Sequence, residues 1–186
     1  TIMNEMKKFY KDRETCINDF RKNEDLKNLS EDWRELSMQN KYVYNFDWFG
    51  RPIIQYPQDM IALQEIIWNT KPDLIIETGI AHGGSLIFSA SMLALLDLAE
   101  SKSSKVVMNE PKSKRLVIGI DIDIRDHNQK AIENHPFSDR IEMLEGSSID
   151  LSTCVSAAKL KIAIGLFFLI TSISFFLLTI SSLISL

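Results

Sequence analysis

The chain has 186 residues, enough for one domain with a sizeable core. A formal net charge of −4 and a pI near 5.4 leave no basic footprint for nucleic acid. Cys16 and Cys154 are too few and too far apart for a disulfide framework, so a reducing compartment, the cytoplasm, is expected.

The N-terminus lacks the apolar core of a secretory signal, and it does not begin with methionine. The expectation is a start inside a longer reading frame or after processing. Residues 1–41 are strongly charged, with apolar positions at irregular helical spacing from Phe9 to Met38. They read as one or two amphipathic helices, either packed on the edge of a core or, the favoured reading, a solvated helical extension with no role in chemistry.

Tyr42 to Pro52 mixes aromatics with Gly50 and Pro52 and reads as an ordered loop whose rings bury against a sheet, with the lining of a substrate pocket as the alternative. From Gln58 the pattern turns helical, with Asp59 as a cap and Pro72 as the stop. Leu74-Ile75-Ile76 is then a short β-prone run. Glu77-Thr78-Gly79-Ile80-Ala81-His82-Gly83-Gly84 crowds three glycines into a turn, and Ser85 to about Glu100 is apolar almost all round, as a helix against a sheet should be.

This strand, turn and helix is the stretch around which the chain is organised. Glycine has no Cβ, so the backbone can pass close to a bound molecule, and the helix start offers unpaired N–H groups. The Gly-x-x-x-Gly-Gly spacing is neither the dinucleotide pattern nor a phosphate loop, and no lysine follows to hold a triphosphate. Glu77 at the strand end suits a cofactor carrying an amino group and hydroxyls. The alternative is a tight structural turn that uses glycine for packing. His82 reads as a plain turn residue, with a base or metal ligand as the alternative; His127 and His135 read as surface and turn residues.

Residues 101–114 form a polar surface loop with a short strand at 106–108. Arg115 to Asp121 is a second strand, its apolar run fitting a parallel strand covered on both faces. Asp126 to Asn134 is a short helix, and Arg140 to Gly146 a third strand followed by Ser147 and Ser148. The alternation specifies a right-handed parallel α/β sheet, in which ligands bind beyond the carboxyl ends of the strands. Glu77, Gly79, Asp121 and Ser147 fall at those ends. Asp121 is placed to accept from ribose hydroxyls, with a helix cap or solvated strand end as its alternative.

Several of these strings together resemble the cephalosporin hydroxylase and rhamnosyl O-methyltransferase family. They are Trp48-Phe49-Gly50, Ile75 to Ser85, Ile118 to Asp126, His135-Pro136 and Gly146-Ser147-Ser148. The likeness covers about residues 42–152. It implies a Rossmann-like fold and methyl transfer from S-adenosylmethionine to an oxygen, with a saccharide or other hydroxylated small molecule as acceptor. It implies a cofactor site of Glu77, Thr78, Gly79, Ala81, Gly83, Gly84, Ser85, Asp121, Asp123, Ser147 and Ser148. Glu77 and Gly79 would meet the methionine part, Asp121 the ribose, and Ser147 or Ser148 the adenine. Magnesium is expected for the family, as a Lewis acid held by carboxylates beyond later strands.

The chain departs from that pattern after Thr153, since no Asp, Glu or His follows Asp150. The metal ligands therefore have no counterpart, no catalytic residue is assigned, and the sheet is expected to be incomplete after its third strand. Residues 159–186 form an apolar C-terminal segment, of which 162–186 carries no charge. As a helix at about 1.5 Å per residue it would span a hydrocarbon core of about 30 Å. Two origins stay open, a membrane anchor with its lysine side in the cytoplasm and an out-of-frame tail. The expected domains are thus 1–41, 42–158 and 159–186. The leading function is an S-adenosylmethionine-dependent O-methyltransferase, of the kind used in lipid or polysaccharide biosynthesis. The alternatives are a membrane-tethered, non-catalytic remnant and an NAD-dependent oxidoreductase. The second is weakened because Asp121 lies far more than the roughly 20 residues beyond the turn that a dinucleotide fingerprint requires.

Overall fold

The computed structural model describes residues 2–104, 115–164 and 168–172, and the expected strand at 106–108 lies outside them. The described chain falls into two compact units, 2–42 and 43–172.

The first unit is a pair of helices, α1 (Ile2–Lys22) and α2 (Glu24–Gln39). Asn23 separates them, its side chain accepting from the Leu26 amide at 3.0 Å and so capping α2. Phe9, Phe20, Leu29 and Leu36 are each more than half exposed, so the apolar positions are largely uncovered.

The second unit opens with a hairpin, β1 (Phe46–Trp48) and β2 (Arg51–Ile53), where the sequence suggested a loop. Phe49 and Gly50 both have positive φ, 44° and 81°, the geometry that lets a two-residue turn follow the strand twist. Trp48 packs edge-on against Phe88 at 4.9 Å between centroids, and its indole N–H donates to Ser91 at 3.1 Å. This ring packs, but on helix α4 and not on the sheet that the sequence suggested; Phe49 and Tyr44 stay exposed.

Helix α3 (Pro57–Thr70) starts one turn earlier than the Asp59 cap requires: Tyr56 is the N-cap, without a side-chain bond, and Pro57 sits in the first position. Asp59 is instead buried, which pushes its carboxyl up from 3.8 to about 6. Strand β3 (Leu74–Thr78), helix α4 (Gly84–Ser104), strand β4 (Leu116–Asp121), helix α5 (Asp126–Glu133) and strand β5 (Ile141–Glu145) then follow in the expected order.

The sheet does not end there. Helix α6 (Leu151–Ile164) leads to a fourth strand, β6 (Phe168–Ser172), parallel to β3 with Leu74 opposite Phe168 and Thr78 opposite Ser172. The sheet order is β5-β4-β3-β6, all parallel. This corrects the expectation of three strands and of one continuous apolar helix across 162–186. Of that segment the described residues are 162–164, in α6, and 168–172. An unbroken apolar run fits a doubly covered parallel strand as well as a membrane helix, and hydropathy alone cannot choose. In the described residues Phe168–Ser172 pairs with the edge of β3, whose backbone groups gain ladder partners there.

Helix α4 is the one described helix long and apolar enough to cross a membrane, and it is the core helix of this unit. Leu86, Phe88, Ala90 and Leu93 on it join Ile53, Ile75 and Val117 in a continuous buried cluster. Its far end is tied to the starts of β4 and β5 by Asp97, which bridges Arg115 and Arg140, the latter at 2.6 Å. Its near end meets β2 backbone to backbone. A Cβ on Gly84 would lie 2.6 Å from the Pro52 carbonyl carbon and 2.8 Å from the Ile53 Cα. Gly84→Ala should therefore force β2 off the helix and cost about 1–3 kcal/mol of stability, read as a lower urea midpoint with unchanged slope.

Candidate functional site

Between β3 and β6 the chain order reverses, and this switch point is where an open α/β sheet leaves a crevice beyond its strand ends. The turn from β3 into α4 lines it. Gly79 and Gly83 take left-handed φ of 86° and 82°, as glycine does readily, and Ala81 between them takes φ 46° despite its Cβ. The Gly79 amide donates to the Ile120 carbonyl at 2.8 Å, extending the β3–β4 ladder one residue past the strand.

Asp121, the last residue of β4, turns its carboxylate onto this turn. Its Oδ2 accepts from the Ile80 amide at 2.7 Å and the Ala81 amide at 3.4 Å, while Oδ1 accepts from the Asp123 amide at 3.2 Å. The opposite side of the turn is held through its carbonyls. Asn128 Nδ2 donates to the Ala81 carbonyl at 2.9 Å, and Arg51 donates to the His82 carbonyl from Nε at 2.9 Å and Nη2 at 2.5 Å.

A pocket of about 260 Å³ opens here, lined by Ala81, His82, Asp121, Asp123, Arg125 and Asn128. Four of these were weighed from sequence, Ala81, Asp121 and Asp123 as cofactor residues and His82 as a plain turn residue or, alternatively, a base or metal ligand. Asn128 and Arg125 were not, although Asn128 left a signal: it shares the buried stripe of α5 with Ile132, four positions on, where an apolar residue is the usual choice.

The other candidates lie around the pocket rather than in its lining. Glu77 is buried at the β3 end and accepts a short hydrogen bond from the Ser85 hydroxyl. Burial pushes its carboxyl up from 4.5 to about 8, with the Ser85 bond acting the other way. Thr78 and Gly79 end the strand, Gly83 and Gly84 are buried under Ile132 and Pro52, and Ser85 faces Glu77. Ser147 and Ser148 follow β5, whose Glu145 pairs with Asp121. The Gly146 amide donates to the Asp121 carbonyl at 2.8 Å, and Ser147 Oγ accepts from the Ile149 amide at 3.4 Å. Among the described residues no group of three or more His, Cys, Asp or Glu comes together as a metal site.

A family of known proteins matches this arrangement along the chain. The model of the rhamnosyl O-methyltransferase/CmcI family matches residues 40–169, from just before the hairpin to the first two residues of β6. The chain belongs to this family. Solved CmcI structures are among the matches. CmcI with Mg and SAM is 20% identical with a TM-score of 0.42, over 60% of this chain and 40% of that one. The CmcI apo-structure is 23% identical with a TM-score of 0.39, over 59% and 39%. The chain thus spans about 40% of the length of these CmcI structures. No curated protein matches it.

In this member of the CmcI family the buried Glu77 makes stability depend on pH. The unfolded chain loses this proton near 4.5 and the folded chain near 8, so the folded state holds the extra proton in between. Stability from this group is present in full below 4.5 and is lost as pH rises towards 8, by up to about 1.4 kcal/mol per pH unit. Glu77→Gln, which mimics the protonated acid, should flatten that fall. Urea midpoints of the two proteins measured across the interval check it, and parallel curves would contradict it.

Proposed function

We infer that this chain binds S-adenosylmethionine beyond the carboxyl ends of β3, β4 and β5, as part of an O-methyltransferase. Its acceptor is a hydroxylated small molecule, with saccharides the leading class. The observation that carries this reading is the pocket that Asp121 and Asp123 line with the glycine turn beyond the ends of β3 and β4, in a chain of the rhamnosyl O-methyltransferase/CmcI family. When bound, the cofactor supplies a sulfonium methyl for in-line displacement by an acceptor oxygen.

The residues present fit such a molecule. An ionised carboxylate offers about four acceptor positions, and the three amides at Asp121 leave room for a ribose hydroxyl. Glu77 suits the cationic methionine end, because a nearby ammonium favours the ionised carboxylate that burial disfavours. Thr78, Gly79, Ala81, Gly83, Gly84 and Ser85 shape the turn between these ends, Asp123 closes the ribose side, and Ser147 and Ser148 border the adenine. Alignment of the two reacting atoms is the main task of such a site, since displacement at a methyl needs an in-line approach. Magnesium does not fit the described residues, which form no cluster of ligands for it, and no step is routed through it.

Calorimetric titration of the whole chain with S-adenosylhomocysteine and with NAD decides between the readings. S-adenosylhomocysteine should bind and NAD should not. Asp121→Ala should weaken S-adenosylhomocysteine at least tenfold, the loss of about 1.4 kcal/mol or more. Binding of NAD alone would favour the oxidoreductase, and binding of neither the non-catalytic remnant.

A further inference from the structure

The hairpin that carries Trp48-Phe49-Gly50-Arg51 has no part in the reading above, yet it reaches the cofactor turn. Arg51, the first residue of β2, spans from the His82 carbonyl to Asn128 Oδ1, the latter at 3.1 Å from Nη2. Asn128 then uses its other amide atom, Nδ2, on the Ala81 carbonyl at 2.9 Å. With both ends of its side-chain amide engaged and only 4% of its surface exposed, Asn128 is held in one orientation. The hairpin itself is anchored: Trp48 on Phe88 and Ser91 of α4, and the Phe49 carbonyl 3.0 Å from His135 Nε2 beyond α5.

The turn needs such holding. Ala81 sits at φ 46°, where a residue with a Cβ costs of order 1–3 kcal/mol and persists only when its surroundings over-determine it. Asp121 takes the Ile80 and Ala81 amides, and the Ile80 carbonyl accepts from the Gly83 amide at 2.8 Å across the turn. The next two carbonyls, of Ala81 and His82, go to the Arg51–Asn128 pair, which ties the turn to α5 and the hairpin.

We propose that Arg51 and Asn128 are positioning residues for the cofactor turn. They clamp the carbonyls of Ala81 and His82 so that the turn is already in its binding shape before the ligand arrives. The proposal rests on the S-adenosylmethionine reading for what the turn binds, and on the hydrogen bonds alone for the clamp. A pre-formed turn avoids the ordering cost of binding, so its loss should appear as weaker affinity and faster local opening while the sheet stays intact.

The test uses the whole chain with Asn128→Asp and Arg51→Lys. The first is isosteric and keeps the acceptor for Arg51 while removing the donor to Ala81; the second keeps the charge and removes the two-pronged grip on His82. Hydrogen exchange of ligand-free protein should show the amides of 80–84 opening about tenfold faster or more in both variants, with β3 and β4 unchanged. The dissociation constant for S-adenosylhomocysteine should rise about tenfold or more in both. Asn128→Asp combined with Arg51→Lys should give no more than the larger single effect, since the pair acts as one unit. Wild-type binding with both variants matching it in affinity and turn exchange overturns the proposal. A global rise in exchange, reaching β3 and β4, also overturns it, because the pair would then serve the fold and not the turn. Absence of binding by the wild-type protein overturns the S-adenosylmethionine reading instead, and the exchange measurement still decides the clamp.

Discussion

The carboxylate of Asp121 closes onto the backbone of a turn that belongs to the neighbouring strand, and the rest of the site is arranged around that closure. The bonds to Ile80 and Ala81 cross from the tip of β4 to the tip of β3, where the sheet ladder has run out of partners. An acid there satisfies amides that would otherwise need water, and it draws the glycine turn towards the pocket. Because the interaction is charge-assisted and partly buried, it is worth more than an ordinary turn hydrogen bond.

Two further constraints make that geometry specific. The approach of β2 to the first turn of α4 leaves no room for a side chain at Gly84, so hairpin and helix pack backbone to backbone. The cluster of Asp97 with Arg115 and Arg140 holds the other end of α4 against the strand starts. Breaking one partner of such a set is far costlier than the set is stabilising, since it strands a charge away from water. The core helix is thereby tied at both ends, and the turn at its N-terminus inherits a rigid frame.

The acids of the second unit illustrate how position assigns role. Glu77 and Asp121 end adjacent strands, yet Glu77 points into the protein and is held protonated near neutral pH by burial, while Asp121 remains half-buried among backbone donors. Asp59 is a third acid, also raised by burial, set in the first turn of α3 where the sequence suggested a cap. Capping preference describes what an exposed helix start favours; Tyr56 and Pro57 begin this helix earlier and leave Asp59 facing inward.

The sequence by itself determined the alternation of strand, turn and helix from Leu74 to Glu145, the glycine turn, and the acids at two strand tips. These follow from periodicity and turn chemistry that act over a few residues. It also carried the family strings that mark the hairpin and the turn. What only the tertiary structure decided lies in contacts between residues distant along the chain. Arg51 meets His82 across 31 positions and Asn128 across 77, and Asp121 meets Ile80 across 41. The pairing of Phe168–Ser172 with β3 is of the same kind. No local pattern encodes these contacts: they arise when the sheet order brings separate strand tips side by side and the unsatisfied backbone groups there take whichever partner has arrived.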